Sequence, residues 1–178
     1  MPKNKRLDPA GVQIRLVRPD DAAYFAALLG QDRETIQCMA SLPWPMTEPR
    51  ARVWLEERLE LGARIFAVLR RTDGVFLGTA GYGPGQWQGR EAAEVGFWIG
   101  GPYRGQGAAG SGLALALDRA RQEGAQMALG RVFPENIASA KVLTNNGFRL
   151  VGQCREELPL RGGLRLLDVY QRSLDDDC

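Results

Sequence analysis

Val95-Gly96-Phe97-Trp98-Ile99-Gly100-Gly101-Pro102-Tyr103-Arg104-Gly105-Gln106-Gly107-Ala108-Ala109 reads as a strand, a tight loop and the first turn of a helix. The loop suits an anion. Gly105, Gly107 and Ala109 keep bulk away from the helix start, where the first N–H groups have no intrahelical partner and the helix dipole is positive. Gly105 to Gly110 also satisfies the GxGxxG dinucleotide fingerprint. Two features count against a Rossmann unit: Gly100 to Arg104 separate strand from first glycine, and too little chain follows Gly110 for a doubly wound sheet. Close packing of the helix on a sheet would also favour small residues, but it leaves Arg104 beside the glycines unexplained.

The flanking sequence alternates element types. Val12, Ile14 and Leu16 alternate with polar residues as a half-buried strand. Helices are expected from Asp20 to Gly30, from about Asp32 to Ala40, and after Thr47 as N-cap, with Leu42-Pro43-Trp44-Pro45 as a break. Ile65 to Leu69 and Val75 to Tyr82 read as a hairpin turned at Thr72-Asp73-Gly74, followed by an interrupting Gly83-Pro84-Gly85 loop. A strand from about Ala93 to Ile99, a helix from about Gln106 to Glu123, a strand from Met127 to Val132 and a short helix around Ile137 to Leu143 come next. Phe148 to Cys154 and Leu164 to Ser173 are the last strands, around a Pro159 to Gly163 loop. No repeat or linker divides the chain, so residues 1–178 are expected to form one α/β (α+β) domain with a core of about 11–174.

Composition narrows the chemistry. Of 178 residues 44% are apolar and 25% charged, as in ordinary globular domains, and no apolar run approaches the roughly 20 residues of a membrane span. Basic residues at Met1 to Arg6 lead into no apolar stretch, so a cytoplasmic protein is expected. A formal charge of +2 is too small for a phosphate-tracking surface, which argues against a nucleic-acid partner. Asp175 to Asp177 read as a solvated end. Cys38, Cys154 and Cys178 show no metal-ligand spacing and read as unreactive. The chain has no histidine, which removes Ser-His-Asp and Cys-His nucleophile systems and leaves proton transfer to carboxylates, hydroxyls or amines.

Arg104-Gly105-Gln106-Gly107-Ala108-Ala109 resembles the hallmark of the GNAT acetyltransferases: Arg or Gln, two residues, Gly, one residue, then Gly or Ala. A second match follows in Asn136-Ile137-Ala138-Ser139, Lys141, Leu143 and Gly147-Phe148, and the order of elements agrees from Val12 to Leu174. Ala93 to Ile99 and Leu42-Pro43-Trp44-Pro45 look like the RimJ/RimL branch of ribosomal-protein N-terminal acetyltransferases. The resemblance implies a mixed, mostly antiparallel sheet with splayed central parallel strands, flanked by helices, and acetyl-CoA bound between the Ala93–Ile99 and Met127–Val132 strands. Phe97, Trp98 and Ile99 would supply pantetheine contacts, Arg104, Gly105, Gln106, Gly107, Ala108 and Ala109 the pyrophosphate site, Asn136 a pantetheine hydrogen bond and Lys141 a ribose-phosphate contact.

The reaction so implied is direct attack of a neutral amine, most readily a protein N-terminal α-amine, with no covalent enzyme intermediate. Glu94 is the candidate base; a salt-bridged strand glutamate is the plainer alternative. The tyrosine expected seven residues after the asparagine is Leu143, which leaves Ser139 or water as the acid. Trp44, Trp54 and Trp98 are candidate acceptor-pocket walls. A small-molecule amine acetyltransferase and a non-catalytic acyl-CoA sensor are the rival readings, and a homodimer is left open.

Overall fold

The computed structural model describes residues 11–175; Met1 to Arg6, Asp176, Asp177 and Cys178 lie outside them. Seven strands form one sheet: β1 (Val12–Leu16), β2 (Arg64–Arg70), β3 (Phe76–Trp87), β4 (Arg90–Ile99), β5 (Met127–Val132), β6 (Arg149–Leu158) and β7 (Gly163–Ser173), in the order β1-β2-β3-β4-β5-β7-β6. Every neighbouring pair is antiparallel except β4 and β5. This is the mixed, mostly antiparallel sheet expected, and a single parallel pair is incompatible with a doubly wound nucleotide-binding sheet.

Helices α1 (Ala22–Leu29), α2 (Arg33–Gln37) and α3 (Glu48–Glu60) cover one face, where Phe25, Leu29, Ile36 and Leu55 pack on Ile65, Phe76 and Trp98. Helices α4 (Ala108–Gln122) and α5 (Ile137–Asn145) cover the other, against Val68, Ala80, Val95 and Ala128. Residues of β4 alternate between these layers, Glu94, Gly96 and Trp98 toward α1–α3 and Val95, Phe97 and Ile99 toward α4. The close approach of α4 depends on Gly112, where an added Cβ would come within 2.7 Å of Val68 Cγ2. Small residues in this helix therefore do serve packing. Those of the preceding loop serve the backbone instead. Gly105 and Gly107 take φ of 72° and 87°, a left-handed conformation that glycine adopts without strain.

Several boundaries differ from the sequence reading. Gly83-Pro84-Gly85 is not a loop, for β3 continues through it and pairs Gly83↔Glu94, Pro84↔Ala93 and Gly85↔Ala92. The pairing of β2 with β3 ends at Arg64↔Tyr82, so one edge of β3 is free at Pro84 and the missing proline N–H costs no ladder bond. The β2–β3 hairpin turns at Thr72-Asp73-Gly74 as expected, and a further hairpin, β3–β4, turns at Gln88-Gly89, both with positive φ, the geometry of a two-residue turn. Helix α2 ends at Gln37 rather than Ala40; Asp32 caps it by accepting the Thr35 N–H at 3.1 Å. Thr47 stands at the N-cap of α3 but makes no capping hydrogen bond. Helix α4 begins at Ala108 rather than Gln106, because the left-handed Gly107 cannot be helical. Strand β6 runs past Cys154 to Leu158.

Candidate active site

The parallel pairing of β4 and β5 is confined to Ala93↔Ala128 and Glu94↔Leu129. Beyond Glu94 the strands part, leaving backbone groups on the β5-facing edge of β4 without a strand partner. The gap is a cavity of about 530 Å³ lined by Gly96, Phe97, Val132, Asn136, Ser139 and Leu143 among others. A second cavity of about 750 Å³ lies between the α2–α3 connection, α3 and the end of β6. The two share Ala40, Ser41, Trp54, Arg58, Glu94 and Glu156. Glu94 thus stands where an elongated ligand in the sheet opening would meet a molecule entering from the α3 side.

At that junction Arg131 of β5 donates from Nη1 to Glu94 Oε2 and from Nη2 to the Gln86 carbonyl at 2.7 Å, while its Nε lies 2.9 Å from Glu156 Oε1. Burial opposes the charge of Arg131, but Glu94 and Glu156 outweigh it and raise its pKa above the ordinary arginine value. The Glu94 side chain keeps a third of its surface exposed, and only Oε2 is engaged by the guanidinium. Arg131 and Glu156 escaped the sequence reading; the one local signal was an arginine in the otherwise apolar Met127–Val132 run.

On α5 the Asn136 Oδ1 accepts the Ser139 N–H at 3.1 Å, so Asn136 caps the helix. Asn136 also lines the opening, and its Nδ2 has no hydrogen-bond partner among the described residues. The Ser139 hydroxyl lines the same opening and has no hydrogen-bond partner among the described residues. Leu143 is fully buried and packs closely on Gly130, where an added Cβ would fall 2.7 Å from Leu143 Cδ1, so the position of the expected tyrosine supplies no hydroxyl. Tyr82 also borders the opening. Burial first, then Glu123, pushes its phenol up to about 12, a weak proton donor.

The remaining sequence candidates divide. Gly105, Gln106, Gly107, Ala108 and Ala109 form the loop and first turn of α4. Arg104 points the other way: Nε donates to the Ile99 carbonyl at 2.9 Å, and Nη2 to Thr35 Oγ1 at 2.5 Å and to Asp32 Oδ2. Burial resists ionisation of Asp32, but hydrogen bonds from Thr35 and Arg104 outweigh it and hold its carboxyl below the usual range. Trp98 and Ile99 are core side chains, the former against Phe25 and Phe76, so what they offer a ligand is mainly backbone. Lys141 is exposed on α5 and does not line either cavity. Trp54 lines both cavities and donates from Nε1 to Ser41 Oγ at 3.2 Å; Trp44 lines neither. Burial, then neighbouring carboxylates, push the thiols of Cys38 and Cys154 up, away from reactive thiolate.

A family model described as an acetyltransferase (GNAT) domain matches residues 12–149, which contain β4, the glycine loop, β5 and α5. The chain belongs to the GNAT acetyltransferase family. As a GNAT acetyltransferase it is an acetyl-CoA-dependent N-acetyltransferase. The parted strands and the left-handed glycine loop at a helix N-terminus fit the cofactor's pantetheine arm and pyrophosphate.

Solved structures agree on the fold. The ribosomal-protein-S5-alanine acetyltransferase of Vibrio fischeri superposes with a TM-score of 0.75 at 22% identity, covering 93% of this chain and 94% of that one. RimJ of Mycobacterium smegmatis, in complex with CoA-disulfide, gives 0.78 at 24%, covering 93% and 83%. Protein yncA of Salmonella typhimurium, with its cofactor acetyl-CoA, gives 0.71 at 21%, covering 94% and 96%. A search of curated protein sequences finds no match.

Proposed function

We propose that this GNAT enzyme acetylates a primary amine, most readily the α-amine of a protein N-terminus, by direct attack in a ternary complex. The observation that carries the reading is the meeting of two cavities at Glu94: one fits an extended cofactor between β4 and β5, the other is wide enough for a peptide end beside α3. Likeness to ribosomal-protein acetyltransferases supports the peptide choice.

Acetyl-CoA supplies the acetyl group as a thioester. The chain's part is to place and deprotonate the acceptor. A carboxylate held by Arg131 with one oxygen engaged keeps the other for the amine or a bridging water. Ser139, with its hydroxyl uncommitted, is the side chain we assign to protonating the departing sulfur. Gly105 to Ala109 offer backbone N–H groups to the pyrophosphate, and Asn136 offers Nδ2 to the pantetheine. Arg104 enters by fixing the loop against α2 rather than by touching phosphate. Lys141 keeps only an outer place, near the ribose phosphate.

The test is CoA release from acetyl-CoA against a panel of N-terminal peptides, polyamines and aminoglycosides. Turnover with peptides beginning Ala, Ser or Met is expected. Turnover with polyamines or aminoglycosides alone would move the enzyme to the small-molecule class, and binding without release for any amine would make it a sensor.

A further inference from the structure

Among the described residues, the acceptor cavity contains one cation with nothing to hold. Helix α3 presents Arg50, Val53, Trp54, Glu57 and Arg58 to it, a stripe at helical spacing. Arg50 donates to the Trp44 carbonyl at 2.9 Å and the Pro45 carbonyl at 3.2 Å. Arg131 is matched by Glu94 and Glu156. Arg161, nearby on the β6–β7 turn, is matched by the carbonyls of Ile36, Met39 and Leu42 at 2.6 to 2.7 Å. Arg58 makes no side-chain hydrogen bond or ion pair among the described residues, and its Nε is buried without a partner. It borders both cavities, as Glu94 does.

A guanidinium nitrogen removed from water and left unmatched is costly, and the cost is recovered when a ligand brings the acceptor. The carboxylates that line the same cavity do not serve. Glu94 and Glu156 belong to Arg131, while Glu57 and Glu157 are exposed to water. We propose that Arg58 receives a carboxylate of the acceptor whose amine lies at Glu94, so that the preferred substrate is an α-amine carrying a nearby carboxylate. The planar fork of arginine matches that group in two parallel hydrogen bonds. Two sources share this chemistry: an acidic side chain close to a peptide N-terminus, and the α-carboxylate of a free amino acid. The inference rests on the proposed use of this cavity for the amine.

The experiment pairs Arg58→Met with isosteric removal of the charge from the acceptor. C-terminally amidated Ala-Asp-Ala-Ala is compared with Ala-Asn-Ala-Ala, and free alanine with alaninamide, for wild type, R58M and R58K. Wild type is expected to favour the acid of at least one pair by about 10- to 100-fold in kcat/KM, the scale of a charged hydrogen bond. R58M should erase that preference and leave the amide rates, the CoA affinity and the melting temperature nearly unchanged; R58K should keep part of it. Preference in the peptide pair alone would identify the acidic side chain as the source, and in the alanine pair alone the α-carboxylate. An R58M enzyme that slows acid and amide equally, or a wild type indifferent in both pairs, would overturn the proposal. If acetyl-CoA binds but no amine turns over, the transferase reading fails separately, and calorimetric binding of the same ligands in the presence of CoA still decides on Arg58: tighter binding of an acid, lost in R58M, supports it, and equal binding refutes it.

Discussion

Gly107 is the position where a substitution separates the anion site from the fold that carries it. It is the N-cap of α4 with φ 87° and ψ 1°, so any side chain there strains the turn by about 1 to 2 kcal/mol. For a domain of this length that lowers the melting temperature by about 2 to 8 °C, and Gly107→Ala should show this cost alone. Gly107→Glu adds a carboxylate to the positive helix end that would face the pyrophosphate. Forfeiting a helix–anion interaction of about 2 kcal/mol raises the dissociation constant about 30-fold. At a CoA concentration 100 times the wild-type dissociation constant, wild type gains about 2.7 kcal/mol on binding. The same concentration gives Gly107→Glu only about 0.9 kcal/mol, so the CoA-induced rise in melting temperature falls to about a third. Thermal unfolding of the three proteins with and without CoA reads both quantities. An equal CoA-induced rise in the Ala and Glu variants would refute the placement of the pyrophosphate, and no rise in wild type would refute the site altogether.

Arg161→Gln should uncouple the β6–β7 turn from the carbonyls of Ile36, Met39 and Leu42 that it ties down. The acceptor KM is expected to rise about tenfold with acetyl-CoA affinity unchanged, and an equal loss of both would make Arg161 a general stabiliser. Asp21, almost fully buried, accepts from Arg15 at 2.7 and 2.8 Å and from the Arg18 N–H at 2.7 Å; burial resists its charge, but these bonds outweigh it and hold its carboxyl below the usual range. That stability is fully present above the unfolded-state value and fades as pH falls through the lower folded one. Asp21→Asn should therefore cost about 2 to 3 kcal/mol at neutral pH and progressively less through the acid carboxylate range, and a pH-independent difference in unfolding free energy would refute the linkage. Glu94→Gln should leave CoA binding intact while lowering turnover at pH 7 by about 10² to 10⁴-fold, with recovery as pH rises and more amine arrives neutral.

What could be read from the sequence was what local rules govern. The strand before Gly100, the glycine loop and the short helix that follows Asn136 each lie within a few residues of their own signal, and all three are where the motifs put them. The parts that complete the site join distant residues. Glu94 and Arg131 are 37 positions apart, and Arg161 and Met39 are 122 apart, separations at which periodicity carries no information. Gly83-Pro84-Gly85 misled for the same reason. A proline breaks a strand only if its missing N–H was needed, and whether it was needed depends on where β2 ends. Trp98 is, from the sequence, a candidate pocket wall and cofactor contact; the alternation of β4 packs its ring into the α1–α3 core while the residue still borders the sheet opening, a placement that depends on which helices cover the strand.

The ion pair of Glu94 and Arg131 gives one side chain two duties. Below Glu94 the parallel strands are bonded; above it they separate, and Arg131 reaches from β5 to Glu94 of β4 and to the Gln86 carbonyl of β3 at the point of parting. The pair is thus a strut across the mouth of the opening as well as a holder of the candidate base. A base and a strut respond differently to the same substitution. Glutamine keeps an oxygen that can accept from Arg131 but cannot take a proton at neutral pH, so it preserves the strut and removes the base. A strut has no reason to depend on the protonation of the amine, whereas a base does: about a tenth of an ordinary α-amine is neutral at pH 7 and most of it at pH 9. Recovery of Glu94→Gln over that interval, with CoA affinity flat, assigns the loss to proton removal. A deficit that persists at pH 9 would instead trace the loss to the geometry of the opening, and Glu94 would then belong with Arg104 and Arg161, which tie distant elements of the site together.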